Sequence, residues 1–156
     1  MTSMRFNHLE LTMEPGVLDD AGRRALSEFY GDLFGWTGMD VYLFDQSCLF
    51  LEIDDDHFIL CAEGDDYMRA PGYDHLGLLL DNAAAVEECL AKAKEWQTRD
   101  SRVQINDAGP PPNTKPKPNG LPASLQNVKV RAFKLKFMLP IWFDVQSIQR
   151  LAPARG

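Results

Sequence analysis

One order of elements occurs twice along this chain, and that internal repeat constrains the fold more than any other feature. The first copy opens with F-N-H-L-E-L-T-M (residues 6–13), in which apolar side chains alternate with His8 and Glu10. The second opens with Y-D-H-L-G-L-L-L, in which His75 holds the third place that His8 holds in F-N-H-L. Alternation with a period of two residues is typical of a β-strand. Each half is therefore predicted to begin with a strand that carries a histidine.

A helix follows the opening strand in both halves. The first is capped by Asp19 or Asp20 and stopped by Gly35, and its apolar stripe is Leu26, Phe29, Tyr30, Leu33 and Phe34. The second is capped by Asp81 or Asn82, and its apolar positions are Val86, Cys89, Leu90, Ala93 and Trp96. The spacing of these apolar residues predicts two amphipathic helices, each packed by one face.

Extended segments follow each helix. In the first half they are predicted at about 40–44, 48–53 and 58–63. In the second half they are predicted at about 102–106, 128–138 and 141–148. Residues 109–124 interrupt the second half with six prolines, a composition that favours a long loop. This loop is a tolerated insertion, a lid or a partner site. The pattern predicts an α+β protein with one βαβββ unit at 5–68 and another at 73–150.

A βαβββ unit present twice, each with a histidine in its opening strand, resembles the vicinal oxygen chelate superfamily. That superfamily includes glyoxalase, bleomycin-resistance proteins, extradiol dioxygenases and methylmalonyl-CoA epimerase. The motifs that carry the resemblance are F-N-H-L-E-L, S-E-F-Y-G-D-L-F-G-W, Y-D-H-L-G-L-L-L-D-N and W-F-D-V-Q. They span roughly residues 5–148, apart from the proline-rich segment. The resemblance implies two units that pair into a curved mixed sheet around one pocket, with the helices outside.

The resemblance also implies a set of metal ligands. In the metal-using members, the first and last strands of each unit each present one ligand to the pocket. His8 and His75 match the two opening strands, and Asp144, in W-F-D-V-Q, stands where relatives usually have glutamate. Two imidazoles and a carboxylate can hold a divalent ion such as iron, manganese, nickel or zinc. The alternative for Asp144 is a pairing with an arginine or with the backbone.

The fourth ligand position departs from the pattern of the superfamily. The strand interior at 58–62 is F-I-L-C-A, where an internal glutamate is typical, and Glu63 comes only at the strand end. Glu63 therefore stands either as a weak candidate ligand or as a solvated carboxylate. Glu10 lies on the same strand face as His8. We expect Glu10 or Glu63 to act as the catalytic base, because a carboxylate that is not bound to the metal can accept a proton from the substrate.

Two functions remain open at this point. The first is a metal-dependent lyase, isomerase or dioxygenase that acts on a small oxygen-chelating substrate. The second is a metal-free protein of the bleomycin-resistance type, which sequesters a drug in an acidic aromatic groove. The paired histidines with Asp144 favour the enzyme, whereas the missing strand glutamate and the net charge of −7 favour the binding protein.

Charge and hydropathy exclude several classes of protein. A nucleic-acid-binding protein normally carries a basic face, but this chain is acidic, with a pI of about 4.9. No apolar run approaches the roughly 20 residues of a membrane span, and the N-terminus lacks the apolar core of a signal peptide. We therefore expect a cytoplasmic protein that binds a small molecule rather than nucleic acid or a membrane. A homodimer is expected, because exposed sheet edges need cover.

Two further groups of residues carry predictions. The cysteines, Cys48, Cys61 and Cys89, are odd in number and show no C-x-x-C spacing, so we expect buried reduced thiols. Late in the chain, four basic residues alternate with apolar ones, which is typical of the solvent-facing side of a strand; they are Lys129, Arg131, Lys134 and Lys136.

Overall fold

The computed structural model describes residues 4–72, 74–109 and 128–151 of the chain. Within these ranges the chain forms two helices and two four-stranded mixed sheets, which confirms the predicted α+β class with two βαβββ units. Residues 110–124 of the predicted proline-rich insertion lie outside the described residues. In chain order the elements are β1 (His8–Met13), α1 (Asp20–Phe34), β2 (Thr37–Leu43), β3 (Gln46–Asp54), β4 (His57–Glu63), β5 (His75–Leu79), α2 (Ala83–Arg99), β6 (Gln104–Asn106), β7 (Val128–Lys136) and β8 (Trp142–Arg150).

The two sheets share one strand order. It is β1-β4-β3-β2 in the first sheet and β5-β8-β7-β6 in the second. In each sheet the opening strand pairs in parallel with the last strand of its unit, β1 with β4 and β5 with β8. The pairs β2–β3, β3–β4 and β7–β8 are antiparallel. Each histidine-bearing strand therefore lies beside the last strand of its own unit.

Helix α1 forms and ends as its sequence predicts. The Asp19 side chain accepts a hydrogen bond from the backbone N–H of Gly22 at 2.7 Å, which satisfies a free donor of the first turn. Gly35 ends the helix with a left-handed φ of 73°, a conformation that costs glycine little. Phe29 and Tyr30 are fully buried on the inner face. Neither helix in the described part of the chain is long and apolar enough to cross a membrane.

Helix α2 settles a choice that the sequence left open. Asn82, rather than Asp81, caps the helix, because its side chain accepts a hydrogen bond from the N–H of Ala85 at 2.9 Å. Four of the five predicted apolar positions are buried, whereas Trp96 is half-buried near the C-terminal end, with Arg99 over its ring. The helix therefore packs by the predicted stripe, and its last turn faces partly outward.

The chain divides into two compact units. One runs through Asp74 and also includes Lys136–Ile141, and the other comprises His75–Leu135 and the chain from Trp142 onward. Residues 136–141 come late in the sequence, from the last residue of β7 to the residue before β8, yet they complete the unit that contains α1. The units are therefore not two consecutive stretches of chain.

Phe137 explains why this short segment belongs to the first unit. Its ring is completely buried, with its centroid 4.3 Å from that of Phe29. Its carbonyl oxygen accepts a hydrogen bond from the Tyr30 hydroxyl at 2.9 Å. The following residue, Met138, has a left-handed φ of 56°, and the N–H of Leu139 donates to the Phe137 carbonyl at 2.6 Å. This tight turn ends β7 at Lys136, two residues before the predicted end.

Side chains alternate between the two faces of each sheet. On β1, Leu11 and Met13 are buried, whereas His8 and Glu10 on the other face are exposed. On β8, Phe143 and Val145 are buried, whereas Trp142, Asp144 and Gln146 on the other face are half-buried. The predicted site residue on β8 therefore lies on the face opposite the buried apolar one. In the first sheet, the face of His8 and Glu10 also carries a buried cluster, formed by Cys48, Leu60 and Ala62.

Candidate functional site

His75 and Asp144 come together on one face of the second sheet. They lie on the neighbouring parallel strands β5 and β8, and the distance from His75 Nε2 to Asp144 Oδ2 is 3.7 Å. Their side chains are 35% and 19% exposed, so both are shielded but reachable from solvent. Gly77 is the register partner of Asp144 and places no side chain beside the carboxylate. Two of the three predicted metal ligands thus form a close pair within one unit.

Lys134 joins His75 and Asp144 as a third residue. It reaches His75 from strand β7, on the opposite side of β8 from β5. It is the register partner of Asp144 on the antiparallel strand β7. Its ammonium nitrogen lies 3.4 Å from His75 Nδ1. Three adjacent strands therefore bring a lysine, an imidazole and a carboxylate together. The sequence placed Lys134 on a solvent-facing strand side; only the strand pairing, β5 beside β8 beside β7, shows that it reaches His75.

Arg131 corrects the prediction of a solvent-facing basic strand. Arg131 and Lys134 are three residues apart, so a strand places them on opposite faces, and Arg131 is only 6% exposed. Its guanidinium donates hydrogen bonds to Glu87 of α2 and, at 2.9 Å, to Asp107. Those hydrogen bonds lower the pKa of both carboxyls and raise the pKa of the guanidinium. Arg131 therefore serves the packing of the helix-facing side, away from His75.

His8 and Glu10 lie on an aromatic face of the first sheet. The His8 ring stacks on the Phe58 ring with centroids 4.7 Å apart and planes 1° apart, and Phe58 in turn stacks on Phe50 at 4.4 Å. His8 Nδ1 also lies 2.7 Å from the side-chain oxygen of Asn7. Glu10 is exposed beside this row, paired in register with Leu60. The His8 imidazole is therefore held by ring stacking, and the edge of its ring is accessible.

Glu63 has a local structural role at the end of β4. Its side-chain oxygen Oε1 accepts a hydrogen bond from the N–H of Leu18, in the segment that leads into α1. Its backbone N–H and carbonyl both bond to the Gln46 side chain, at 3.0 Å each. Glu63 thus ties three segments of the first unit together. The sequence offered no signal for these contacts, because they join residues 17 and 45 positions away.

The buried cysteines are thiols, as predicted. Cys48, Cys61 and Cys89 are all free and buried. Burial raises the pKa of Cys61 to about 12 and that of Cys89 to about 11, so both stay protonated at neutral pH. A protonated thiol is a poor nucleophile and a poor metal ligand. Cys61 and Cys89 are therefore poor candidates for a nucleophile or a metal ligand at neutral pH.

The His75–Asp144 pair has a geometry that suits a divalent metal ion. Two atoms bound to one ion at about 2.0–2.2 Å each lie at most about 4 Å apart, and these atoms are 3.7 Å apart. Imidazole nitrogen and carboxylate oxygen are ligands that manganese, iron, nickel and zinc accept. Across residues 4–72, 74–109 and 128–151, no three His, Cys, Asp or Glu side chains gather into a group that could hold a metal. The pair therefore fits an ion as two ligands of a larger set.

Comparison with known proteins identifies the fold. Neither a protein-family model nor a curated protein matches the sequence. Among solved structures, the fosfomycin resistance protein FosX from Listeria monocytogenes superposes with a TM-score of 0.59 at 14% identity, over 92% of this chain and 91% of that one. A possible glyoxalase from Bacillus cereus superposes with a TM-score of 0.53 at 17% identity, over 94% and 99%. The chain has the vicinal oxygen chelate fold.

One relative with the vicinal oxygen chelate fold was solved with ligands. A variant of the Listeria FosX contains Mn(II) and 1S,2S-dihydroxypropylphosphonic acid, and it matches this chain with a TM-score of 0.59 at 15% identity, over 94% of this chain and 93% of that one. At this level of identity the likeness establishes the shared fold alone.

Proposed function

We propose that the chain is a metal-dependent enzyme that acts on a small molecule with adjacent oxygen atoms. The observation that carries the proposal is the approach of His75 Nε2 to Asp144 Oδ2 at 3.7 Å on one sheet face. His8 is proposed as the third ligand from its matching place in the first unit. The Mn(II) bound by the FosX relative supports a divalent ion, and manganese is the first metal to test.

The proposed site assigns a separate role to each of its residues. His75, Asp144 and His8 would hold a divalent ion, which supplies Lewis acidity toward the oxygen atoms of a chelating substrate. Lys134 would attract an anionic group to the same face. Glu10 is the better candidate for the base, because it is exposed on the face of His8, whereas the Glu63 carboxylate is already bonded to the N–H of Leu18. A base must reach the proton that it removes.

Metal titration of purified protein tests the proposal. Mn(II) binding would be followed by electron paramagnetic resonance and calorimetry for wild type, His75→Ala, Asp144→Asn and His8→Ala. Loss of an outer-shell partner lowers metal affinity about 10–100-fold, so loss of a ligand should lower it by about 100-fold or more. His57→Ala is the matched control, because the His57 ring lies at the surface, where it contacts Asp54 and Phe6. Equal Mn(II) affinity in wild type and Asp144→Asn would refute the assignment.

A metal-free binding function is the second candidate, and the aromatic face of the first sheet favours it. His8, Phe58 and Phe50 form a continuous stack, and two carboxylates flank it, Glu10 and Glu52, the register partner of Phe58. Stacked rings beside carboxylates suit a planar cationic ligand. Calorimetry with bleomycin, for wild type and Phe58→Ala, tests this function. Binding that persists in a chelator and disappears in Phe58→Ala would favour it over the enzyme.

A homodimer and a cytoplasmic location are also proposed. Strand β2 lies at one end of its sheet and exposes Met39, Tyr42 and Leu43, and Phe44 in the following turn is 64% exposed. An unpaired, largely uncharged strand edge favours association with another chain. Light scattering coupled to size-exclusion chromatography would test this, with a mass near 35 kDa, twice the 17.6 kDa chain, expected. A mass of one chain at micromolar concentration would exclude it.

A further inference from the structure

We propose that Lys134 couples metal binding at His75 and Asp144 to the binding of an anionic ligand. The inference rests on the proposed metal site and adds to it a class of ligand and a coupling between the two binding events. It follows from two contacts on opposite sides of one imidazole ring. Lys134 contacts one ring nitrogen of His75 at 3.4 Å, and Asp144 faces the other nitrogen at 3.7 Å.

The Lys134 contact favours one position for the proton of His75. A lysine ammonium has three donors and no acceptor, so it bonds to His75 Nδ1 only when that nitrogen accepts. In the neutral ring, the proton is then on Nε2, which points toward Asp144 Oδ2. Lys134, His75 and Asp144 thus form a chain in which each donor faces an acceptor. The arrangement is consistent without any ion.

A metal ion at His75 would reverse this arrangement. A metal bound to Nε2 needs the lone pair of that nitrogen, so the proton of the neutral ring moves to Nδ1 and two donors face each other across 3.4 Å. A metal bound to Nδ1 would instead take the place where the ammonium stands. Metal binding through either nitrogen therefore requires the Lys134 ammonium to leave His75.

An anion is the ligand that can draw Lys134 away. Among the described residues, no carboxylate lies within ion-pair distance of its ammonium, although Asp144 is its register partner. Its side chain is half-buried on a flexible stem, so it can turn toward an anion on the same face. A phosphonate or carboxylate that accepts from Lys134 frees His75 Nδ1 to carry the proton. Anion binding and metal binding then favour each other, as thermodynamic linkage requires.

The experiment measures Mn(II) affinity with and without methylphosphonate at constant ionic strength, set with chloride. In wild type, methylphosphonate should tighten Mn(II) binding by roughly 5–150-fold, the usual range of coupling between two sites. In Lys134→Met, Mn(II) alone should bind more tightly than it does to wild type, and methylphosphonate should add little. Lys134→Arg keeps the charge and the donors, so it should keep the coupling.

Lys129→Met is the matched control. It removes the same charge from the same strand, but an odd number of residues away from Lys134, and so from the opposite face. It should behave as wild type, and thermal unfolding would check that each variant folds. If Lys134→Met binds Mn(II) no more tightly than wild type, or retains the full effect of methylphosphonate, the inference is wrong while the metal site stands. If neither wild type nor Lys134→Met binds Mn(II) under any condition, both proposals fail.

Discussion

Replacing the acceptors of Arg131 should cost far more stability than replacing Arg131 itself. The guanidinium side chain is 7% exposed, whereas its partners Glu87 and Asp107 are 56% and 21% exposed. In a Glu87→Gln/Asp107→Asn variant, a buried charge remains without a counter-charge. Leaving one charge of a buried pair uncompensated typically costs about 3–5 kcal/mol of unfolding free energy. That is a large share of the total for a domain, which is about 5–15 kcal/mol.

Arg131→Met should behave differently because its partners are near water. Glu87 can hydrate once the guanidinium is gone, and Asp107 keeps a hydrogen bond from the N–H of Gly109 at 2.9 Å. Methionine fills a similar volume with apolar surface. Replacement of a buried ion by a well-packed apolar side chain is often neutral or stabilising, so we expect a change within about 1 kcal/mol.

Urea denaturation checks the contrast between these variants. With an m value of about 1–3 kcal/mol/M, the double variant should lose more than about 1 M in its midpoint, and Arg131→Met much less. Glu88→Gln, an exposed neighbour on α2, controls for the loss of a carboxylate on that helix. The reasoning is refuted if Arg131→Met loses more stability than the double variant, since the burial of the guanidinium would then not set the cost.

Three further predictions concern stability. Arg131 lowers the folded pKa of the Glu87 and Asp107 carboxyls. The stability that these carboxylates contribute is therefore complete above their unfolded pKa values, about 4, and is lost as the pH falls through the lower folded values. In acid denaturation, wild type should lose more stability than Arg131→Met between about pH 5 and 2. Phe137→Ala should cost about 3–5 kcal/mol in urea unfolding, since the ring is completely buried, and a cost below about 1 kcal/mol would contradict its role in the first unit. Gly38→Ala should lower the melting temperature, because its Cβ would come within 2.0 Å of Ser27 Oγ and 2.5 Å of Ser27 Cβ, and adding Ser27→Gly should restore much of the loss.

The fold was largely predictable from local patterns, and the reason is visible in particular residues. The alternation around His8 and His75 located the two opening strands, and Gly35 marked the end of α1 because only a few residues tolerate its left-handed φ. The end of β7 was missed, because Met138 adopts a left-handed φ of 56° that no feature of its own side chain favours. That conformation depends on the buried contacts of Phe137 rather than on local sequence.

The site was less predictable, because it depends on which strands are neighbours. His75 and Asp144 were matched to a family pattern, but their distance is set by the parallel register of β5 and β8, which the sequence does not encode locally. Lys134 lies beside them for the same reason. Lys134 and Arg131 are three residues apart, and on a strand that spacing predicts that their side chains point to opposite faces.

The placement of Phe137 in the first unit has a consequence for synthesis on the ribosome. A nascent chain that has emerged as far as Asp74 contains β1 to β4 and α1, but it lacks the ring that packs on Phe29 and the carbonyl that accepts from Tyr30. The first unit cannot close its core until residues 136–141 have left the exit tunnel, when most of the chain has been made. Domains usually fold as they emerge, N-terminal first. Here the N-terminal half must wait for the C-terminal half, so the two copies of the repeat are joined in folding as well as in sequence.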